Sequence, residues 1–204
     1  SSGHAIIQVN RDGENSIILH GGANRTITSR DADRVLARFS AGDCLLLQNE
    51  ISSIPQIMKR AARMGLRIVL NPAPMTPDVA KYPLDLVSCF IVNEIEGEGL
   101  TGRKAPGRIL AAMMKHYPKA AIVVTLGARG VLYGEEGRIL NVPAVRVKPV
   151  DTTAAGDTFI GFFLADLAMG SGVETALRTA CRAAALCVTR HGAADSIPRR
   201  SELS

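Results

Sequence analysis

The sequence lacks tryptophan, contains 4% aromatic residues, and has no long apolar run. A continuous apolar stretch such as residues 120–124 is far shorter than the roughly 20 residues that a membrane-spanning helix needs. There is also no cationic segment followed by an apolar stretch and a cleavage site, which is the pattern of a secretion signal. These features favour a soluble, cytoplasmic protein without a membrane partner.

The cysteines show no metal or disulfide pattern, because the sequence has no CxxC pair. All four lie in or beside apolar segments: Cys44, Cys89, Cys181 and Cys187. This arrangement favours reduced, buried thiols over a disulfide or zinc framework. A Walker A loop is absent as well, which excludes the commonest phosphate-binding loop.

The net charge of +5 comes from Lys and Arg residues that are scattered in ones and twos. A nucleic-acid-binding surface usually combines a basic stripe with interleaved aromatic residues, and the sequence contains neither. We therefore predict no nucleic-acid partner and interpret the basic surplus as a solvated surface that helps to attract anions.

The apolar pattern predicts an α/β fold. Strand-like runs alternate with helical periodicity, which is typical of a mostly parallel sheet with helices on both faces. The predicted strands of this core are 44–48, 67–70, 89–92 and 121–125, and the predicted helices are 54–64 and 108–116.

Other elements are predicted on either side of this core. A hairpin precedes it, with strands at 5–9 and 16–20 around Asp12-Gly13, and Thr28 or Ser29 begins a helix whose apolar positions run to Phe39. Antiparallel edge strands and two closing helices follow it, at 130–133, 138–141, 145–150, 157–169 and 173–189.

The segment from Asp151 to Asp157, with the sequence DTTAAGD, is the most informative stretch. Glycine and small side chains let the backbone approach a ligand, and the free N–H groups at a helix start favour an anion. A phosphoryl group held there would lie beside Asp157, which would accept the proton of an attacking hydroxyl. The local chemistry alone leaves a second interpretation open, in which Asp157 only caps its helix.

The nine residues from Asp151 to Phe159 resemble the C-terminal signature of the ribokinase-like (PfkB) family of sugar kinases. The resemblance continues in matching order over essentially the whole chain, through Gly22-Ala23-Asn24, Glu50, Asn71-Pro72-Ala73-Pro74, Asn93-Glu94-Ile95-Glu96, Leu100-Thr101-Gly102, Thr125 to Gly130 and Arg190 to Ala193. It implies a ribokinase-like, doubly wound α/β fold in residues 25–204, with residues 1–24 as part of a β lid.

The resemblance implies ATP-dependent phosphorylation of a sugar hydroxyl, with O5 of D-ribose as the leading acceptor. Fructose, ketodeoxygluconate and nucleosides are alternative acceptors. By the same resemblance, Asp157 is the catalytic base, the amides of Ala154, Ala155 and Gly156 form an anion hole, and Glu50 lies near the sugar.

Three cofactors follow from the resemblance: ATP, Mg²⁺ and K⁺. The nucleotide would contact Asn93, Thr125, Leu126, Gly127, Ala128, Arg129, Gly130, Gly156 and Cys181. Glu96 would hold the magnesium through water, and potassium would bind mostly to backbone oxygens of Asp151, Thr153, Cys187, Arg190, Gly192 and Ser196. Cys181 stands where family members often have His or Asn, so a hydrogen bond to adenine is expected to be missing.

Two further hypotheses come from other classes of protein. The segment Gly97 to Gly102 spells GxGxxG, the motif of a nicotinamide-dinucleotide domain, although no acidic residue ends the next strand to hold a ribose. A nucleotide-binding or dimerising module without catalysis is the other hypothesis.

Family members carry an N-terminal region before the strand at 5–9, and nothing here matches it. We therefore expect exposed apolar edges and faces of the sheet and weak or no sugar kinase activity of this chain alone. The family resemblance also implies a homodimer through the hairpin.

Overall fold

The computed structural model describes residues 1–9 and 15–203. The helices and strands in chain order are β1 (His4–Val9), β2 (Asn15–His20), α1 (Ser29–Leu36), β3 (Cys44–Gln48), α2 (Ile54–Arg63), β4 (Arg67–Asn71), β5 (Cys89–Val92), α3 (Glu94–Thr101), α4 (Pro106–His116), β6 (Ala121–Thr125), β7 (Val131–Glu135), β8 (Arg138–Val142), α5 (Ala155–Ala168) and α6 (Val173–Cys187). Within these two ranges, none of the helices combines the length and the apolar character that crossing a membrane requires.

The central sheet has six strands in the order β3-β4-β5-β6-β7-β8. The pairs from β3 to β6 are parallel, and β7 and β8 continue the sheet antiparallel. Because the carboxyl ends of parallel strands share one edge, the polar residues that follow β3, β4 and β5 are brought together. The predicted mostly parallel sheet is confirmed, and β1 and β2 pair separately as the predicted hairpin.

Strand side chains alternate between two cores, one on each face of the sheet. Ile68 and Leu70 of β4 point into a core with α1, α2 and α4, whereas Val69 points into a core with α5 and α6. The predicted placement of helices on both faces is therefore confirmed.

Helix α3 was not predicted, because Gly97 and Gly99 are poor helix formers. Asn93 starts it with a capping box, in which its side chain accepts the N–H of Glu96 and the Glu96 carboxylate accepts the N–H of Asn93. A Cβ at position 97 would lie 2.5 Å from Cγ2 of Ile109, so glycine permits α3 to pack on α4. The GxGxxG segment is thus a helix and its left-handed end, so the dinucleotide-domain hypothesis is wrong.

Other differences lie at the ends of elements. Helix α1 ends before Phe39, and α5 begins at Ala155, two residues earlier than predicted. Residues 145–150 form no strand: Pro149 has no N–H to donate to a neighbouring strand, and the N–H of Val150 bonds to the carbonyl of Val188 at 2.7 Å. Cys44 is exposed because it opens the edge strand β3, whereas the other three cysteines are buried as predicted. The predicted Asp12-Gly13 turn lies outside the described residues.

Candidate active site

The first turn of α5 presents backbone N–H groups beside a carboxylate. Ala154 precedes the helix in a left-handed conformation, with φ 61°, and makes no side-chain cap. The N–H of Thr158 reaches the carbonyl of Ala154 at 2.9 Å, whereas the N–H of Ala155 lies 3.4 Å from the carbonyl of Thr152. The N–H groups of Gly156 and Asp157 precede the regular helical bonds and are therefore available to an anion.

Asp157 projects from this turn and contacts the end of strand β3. The side-chain amide of Gln48 donates one hydrogen bond to Oδ1 of Asp157 at 3.1 Å and another to Oδ1 of Asn71 at 2.9 Å. Gln48 and Asp157 are 109 positions apart in sequence, so the bond between them joins helix α5, on one face of the sheet, to the edge strand β3. Asp157 itself is exposed, which leaves its second oxygen open to a ligand.

Asn71 continues the same set of bonds toward α3. Its amide, at the end of β4, donates to the carbonyl of Ile91 at 2.9 Å and to Oε2 of Glu96 at 3.1 Å. The Glu96 carboxylate also accepts the backbone N–H and the side-chain amide of Asn93, each at 2.9 Å. Burial raises the pKa of Glu96, and the donors from Asn93 and Asn71 act in the opposite direction. We call the connected side chains Asp157, Gln48, Asn71, Glu96 and Asn93 the polar relay.

A cavity of about 500 Å³ opens beside the start of α5. The lining comes from Ala155 and Gly156 at the start of α5, from the turn between β6 and β7, from α6, and from residues 144–147 and 149. Of the predicted nucleotide contacts, the structure places Thr125, Gly127, Ala128, Gly130, Gly156 and Cys181 in the lining. Most of the lining is apolar, and burial raises the pKa of the Cys181 thiol to about 11, so this thiol stays protonated at neutral pH.

All six predicted potassium residues are joined by direct contacts in a second cluster, where the loop before α5 meets the loop after α6. The Asp151 carboxylate accepts the N–H of Thr153 at 2.9 Å and the N–H of Gly192 at 3.1 Å. These donors, with Thr153 first, hold the pKa of Asp151 below its ordinary value of 3.8. The carboxylate thereby fixes the two loops against each other.

Cys187 and Ser196 complete the second cluster. The Cys187 thiol lies 3.1 Å from Oγ of Ser196 and 3.7 Å from the carbonyl oxygen of Thr153. Arg190 bonds through its N–H to the Cys187 carbonyl at 3.1 Å, while its guanidinium pairs with Glu202 at 2.6 Å. The cluster therefore offers several backbone and side-chain oxygens within one pair of loops.

Three predicted site residues lie apart from these groups. Leu126 and Arg129 belong to the turn between β6 and β7 but do not line the cavity, and Arg129 forms an ion pair with Glu94. Glu50 is half-buried just beyond β3, and none of the described residues donates a hydrogen bond to its side chain.

Gln48 and Asn71 were missed as site residues by the reasoning from sequence. Both are the last residues of parallel strands, so the pattern of apolar runs ending in a polar amide was an available signal. The pattern does not reveal that the amides bond to each other and to two carboxylates, because that depends on the pairing of Gln48 with Asn71 across β3 and β4.

The sequence matches the pfkB family of carbohydrate kinases over residues 1–200, and the chain belongs to that family. It is 36% identical to the ribokinase of Haemophilus influenzae, over 98% of this chain and 67% of that protein. The chain spans about two thirds of the length of the curated relatives it matches.

Solved structures give the same family relation. The ribokinase of Cryptococcus neoformans var. grubii in complex with ADP superposes with a TM-score of 0.85 at 34% identity, covering 98% of this chain and 70% of that chain. The ribokinase of Arabidopsis thaliana complexed with ribose and ATP superposes with a TM-score of 0.83 at 32% identity, covering 98% of this chain and 67% of that one. The ribokinase-like fold predicted from the sequence is confirmed.

Proposed function

We propose that this chain forms the nucleotide-binding and catalytic part of an ATP-dependent sugar kinase that phosphorylates O5 of D-ribose. The observation that carries the proposal is the start of α5, where Asp157 and available N–H groups lie on one turn beside the cavity. The relatives from Cryptococcus and Arabidopsis bind ADP, or ribose and ATP, and their similarity over nearly the whole chain supports the same ligands here.

In the proposed reaction, the sugar oxygen attacks the γ-phosphorus in line and its proton passes to Asp157. The bond from the γ-phosphorus to the bridging oxygen breaks, and ADP leaves. The N–H groups of Ala154 and Gly156 donate to phosphoryl oxygens where negative charge develops, and that of Ala155 does so in place of its long, 3.4 Å contact with the Thr152 carbonyl. Since these donors belong to the helix start, they need little reorganisation during the reaction.

The cavity is the proposed nucleotide site. With phosphates at Gly156, we place the base against the apolar side chains of residues 144–149 and α6, and the ribose beside the β6–β7 turn. Glycine is required at position 130 of this turn, because its φ of 99° is unfavourable for other residues and a Cβ would lie 2.1 Å from the carbonyl oxygen of Val142. Cys181 offers the base a protonated thiol rather than an amide or imidazole.

Mg²⁺ and K⁺ are the proposed metal cofactors. Glu96 fits magnesium bound through water, because the three hydrogen bonds to its carboxylate leave Oε1 with free acceptor capacity. The second cluster fits a potassium site because carbonyl and carboxylate oxygens suit a hard cation. Its residues are Asp151, Thr153, Cys187, Arg190, Gly192 and Ser196. When bound, the magnesium would neutralise charge on the nucleotide phosphates.

The other expectations stay predictions. They are a sugar contact at Glu50, a division between residues 1–24 and 25–204, a homodimer through β1 and β2, and a cytoplasmic location. For the hairpin surface, Ile6, Ile18 and Leu19 are 54%, 57% and 49% exposed, which supports a contact with a second copy. Sedimentation that finds only monomers at high concentration would count against it.

Sugar-dependent ADP release tests the proposed function. The chain is incubated with ATP, Mg²⁺ and K⁺, and with D-ribose, fructose or no sugar; the assay is repeated after the N-terminal region of a ribokinase relative has been joined to it. Ribose-dependent release is the expected result. ADP release with fructose but not with ribose would identify fructose as the acceptor. ADP binding without sugar-dependent ADP release in either form would favour a non-catalytic nucleotide-binding module.

A further inference from the structure

We propose that Gln48 is a positioning residue that holds Oδ1 of Asp157, so that Oδ2 takes the proton, and that Asn71 ties this contact to Glu96. The inference rests on the proposed function in taking Asp157 as the base. It concerns side chains that neither touch the reacting atoms nor line the cavity.

The Gln48 amide has one workable orientation. Both of its N–H bonds are used, at 3.1 Å to Asp157 and at 2.9 Å to Asn71, and both acceptors are oxygens. A flipped amide would point its own oxygen at these two oxygens, and repulsion between lone pairs would replace two hydrogen bonds. The half-buried Gln48 therefore presents a fixed donor to Oδ1 of Asp157.

Asn71 holds Gln48 in that orientation. Its own two N–H bonds go to the carbonyl of Ile91 and to Glu96, and the residue is 7% exposed, so its oxygen necessarily faces Gln48. The orientation of the Asn71 amide thus fixes that of the Gln48 amide, and the carboxylates of Glu96 and Asp157 act as acceptors at the two ends. Such a connected set is held more firmly than isolated surface contacts.

The consequence for Asp157 is that its two oxygens differ. A donor at Oδ1 opposes protonation of that atom, whereas Oδ2 has no partner among the residues that the structure describes. The carboxylate also loses rotational freedom, which keeps Oδ2 aimed at one place. Correct aim of a reacting group matters because a displacement of about 1 Å can cost roughly 100-fold in rate.

The test uses Gln48→Met, which keeps the length of the side chain and removes its donors. Gln56→Met is the matched control, because Gln56 is exposed on α2 and lies outside the polar relay. We expect Gln48→Met to lower kcat by about 10- to 100-fold with the KM values for sugar and nucleotide within about threefold. Loss confined to KM, or no loss, would overturn the proposal.

A double-mutant cycle separates positioning from a general effect on structure. If Gln48 acts through Asp157, Gln48→Met causes no further loss of kcat in an Asp157→Asn background. An equal loss in both backgrounds would contradict the inference. Asn71→Ala is expected to lower kcat in the same direction by a smaller factor, with the Gln48–Asp157 contact weakened rather than removed.

A measurement without turnover distinguishes failure of this inference from failure of the proposed function. The ¹³C signal of the Asp157 carboxyl group, assigned by its disappearance in Asp157→Asn, is expected to move in Gln48→Met and to stay in place in Gln56→Met. An unmoved signal would refute the contact even in an active enzyme. Absence of sugar-dependent turnover both in the chain alone and in the chain joined to the N-terminal region of a ribokinase relative would refute the function and leave the contact to be judged by this signal.

Discussion

The cavity beside α5 and the surface beside β3 differ in how far the described residues enclose them. The cavity is lined by the β6–β7 turn, residues 144–149, α5 and α6 together. On the edge strand β3, in contrast, Leu46 is 42% exposed and Glu50 has no described hydrogen-bond partner. The described residues therefore enclose the proposed nucleotide site more completely than they enclose the proposed sugar contact at Glu50.

The largest expected effect is the loss of catalysis in Asp157→Asn. The amide cannot accept the hydroxyl proton, so we expect turnover to fall by about 10³-fold or more. ADP affinity is expected to stay within about threefold, because the cavity contacts come from other residues. Turnover assays and calorimetric titration with ADP measure the two quantities. Near-normal turnover would show that Asp157 is not the catalytic base. A parallel loss of ADP binding would show that the cavity and the base are not independent.

Gly130→Ala is expected to damage the cavity side most strongly. A Cβ there would lie 2.1 Å from the carbonyl oxygen of Val142 and 2.6 Å from the nitrogen of Ala144. We expect the free energy of unfolding to fall by about 3 kcal/mol or more, through strain and backbone repacking. Urea unfolding checks this.

Gly137→Ala is the control for the Gly130 variant. Gly137 also has a positive φ, 82°, but a Cβ there meets nothing within 4 Å. The conformational penalty alone is about 1–2 kcal/mol. Equal losses in the two variants would show that the close approach at Gly130 contributes nothing to the β6–β7 turn.

Two neighbouring leucines on β3 test how far the surface beside this strand is exposed. Leu47 is 5% exposed and packs in the core with α1 and α2, whereas Leu46 is 42% exposed on the other face. We expect Leu47→Ala to lower the free energy of unfolding by about 2–4 kcal/mol and Leu46→Ala by less than about 1 kcal/mol. A large decrease in the free energy of unfolding of Leu46→Ala would show that this face of β3 is covered in solution.

The smallest expected effect is the pH dependence that comes from Asp151. Its pKa is lowered by the N–H donors of Thr153 and Gly192, so the ionised form stabilises the fold above the ordinary value of 3.8. That contribution is lost as the pH falls through the lowered pKa. Asp151→Asn is expected to flatten the fall in thermal midpoint below about pH 4, with the exposed Asp195→Asn as control. If the thermal midpoint of Asp151→Asn fell with pH as steeply as that of the unmodified protein, the ionised Asp151 carboxylate would not stabilise the second cluster.

Much of the fold followed from patterns that are local in sequence. The strands Cys44–Gln48, Cys89–Val92 and Ala121–Thr125 have the predicted bounds, because each is a compact apolar run ended by polar or small residues. Helix α3 was missed because its glycines hid a helix that the capping box and the packing on Ile109 stabilise. Residues 145–150 were misassigned because an apolar extended run can line a cavity as well as join a sheet.

The candidate site was predictable where a motif is continuous in sequence. Residues 151–157 carry enough local pattern to indicate an anion site, whereas the nucleotide role of the β6–β7 turn followed from the family resemblance. The polar relay was not predictable, because the contact between Gln48 and Asp157 depends on how α5 packs across the end of β3. Long-range side-chain bonds of this kind need the register of the sheet, which no local pattern contains.

Identification of the phosphorylated product by ³¹P NMR tests the central claim most directly. The chain, both alone and joined to the N-terminal region of a ribokinase relative, is incubated with D-ribose, ATP, Mg²⁺ and K⁺, and the spectrum is followed until the ATP signals decline. We expect the active form to give one ADP for each phosphate ester on O5 of ribose, and both to form at least about 10³-fold more slowly when Asp157 is replaced by Asn. Formation of ADP with inorganic phosphate alone, or of an ester that persists unchanged in Asp157→Asn, would contradict this claim.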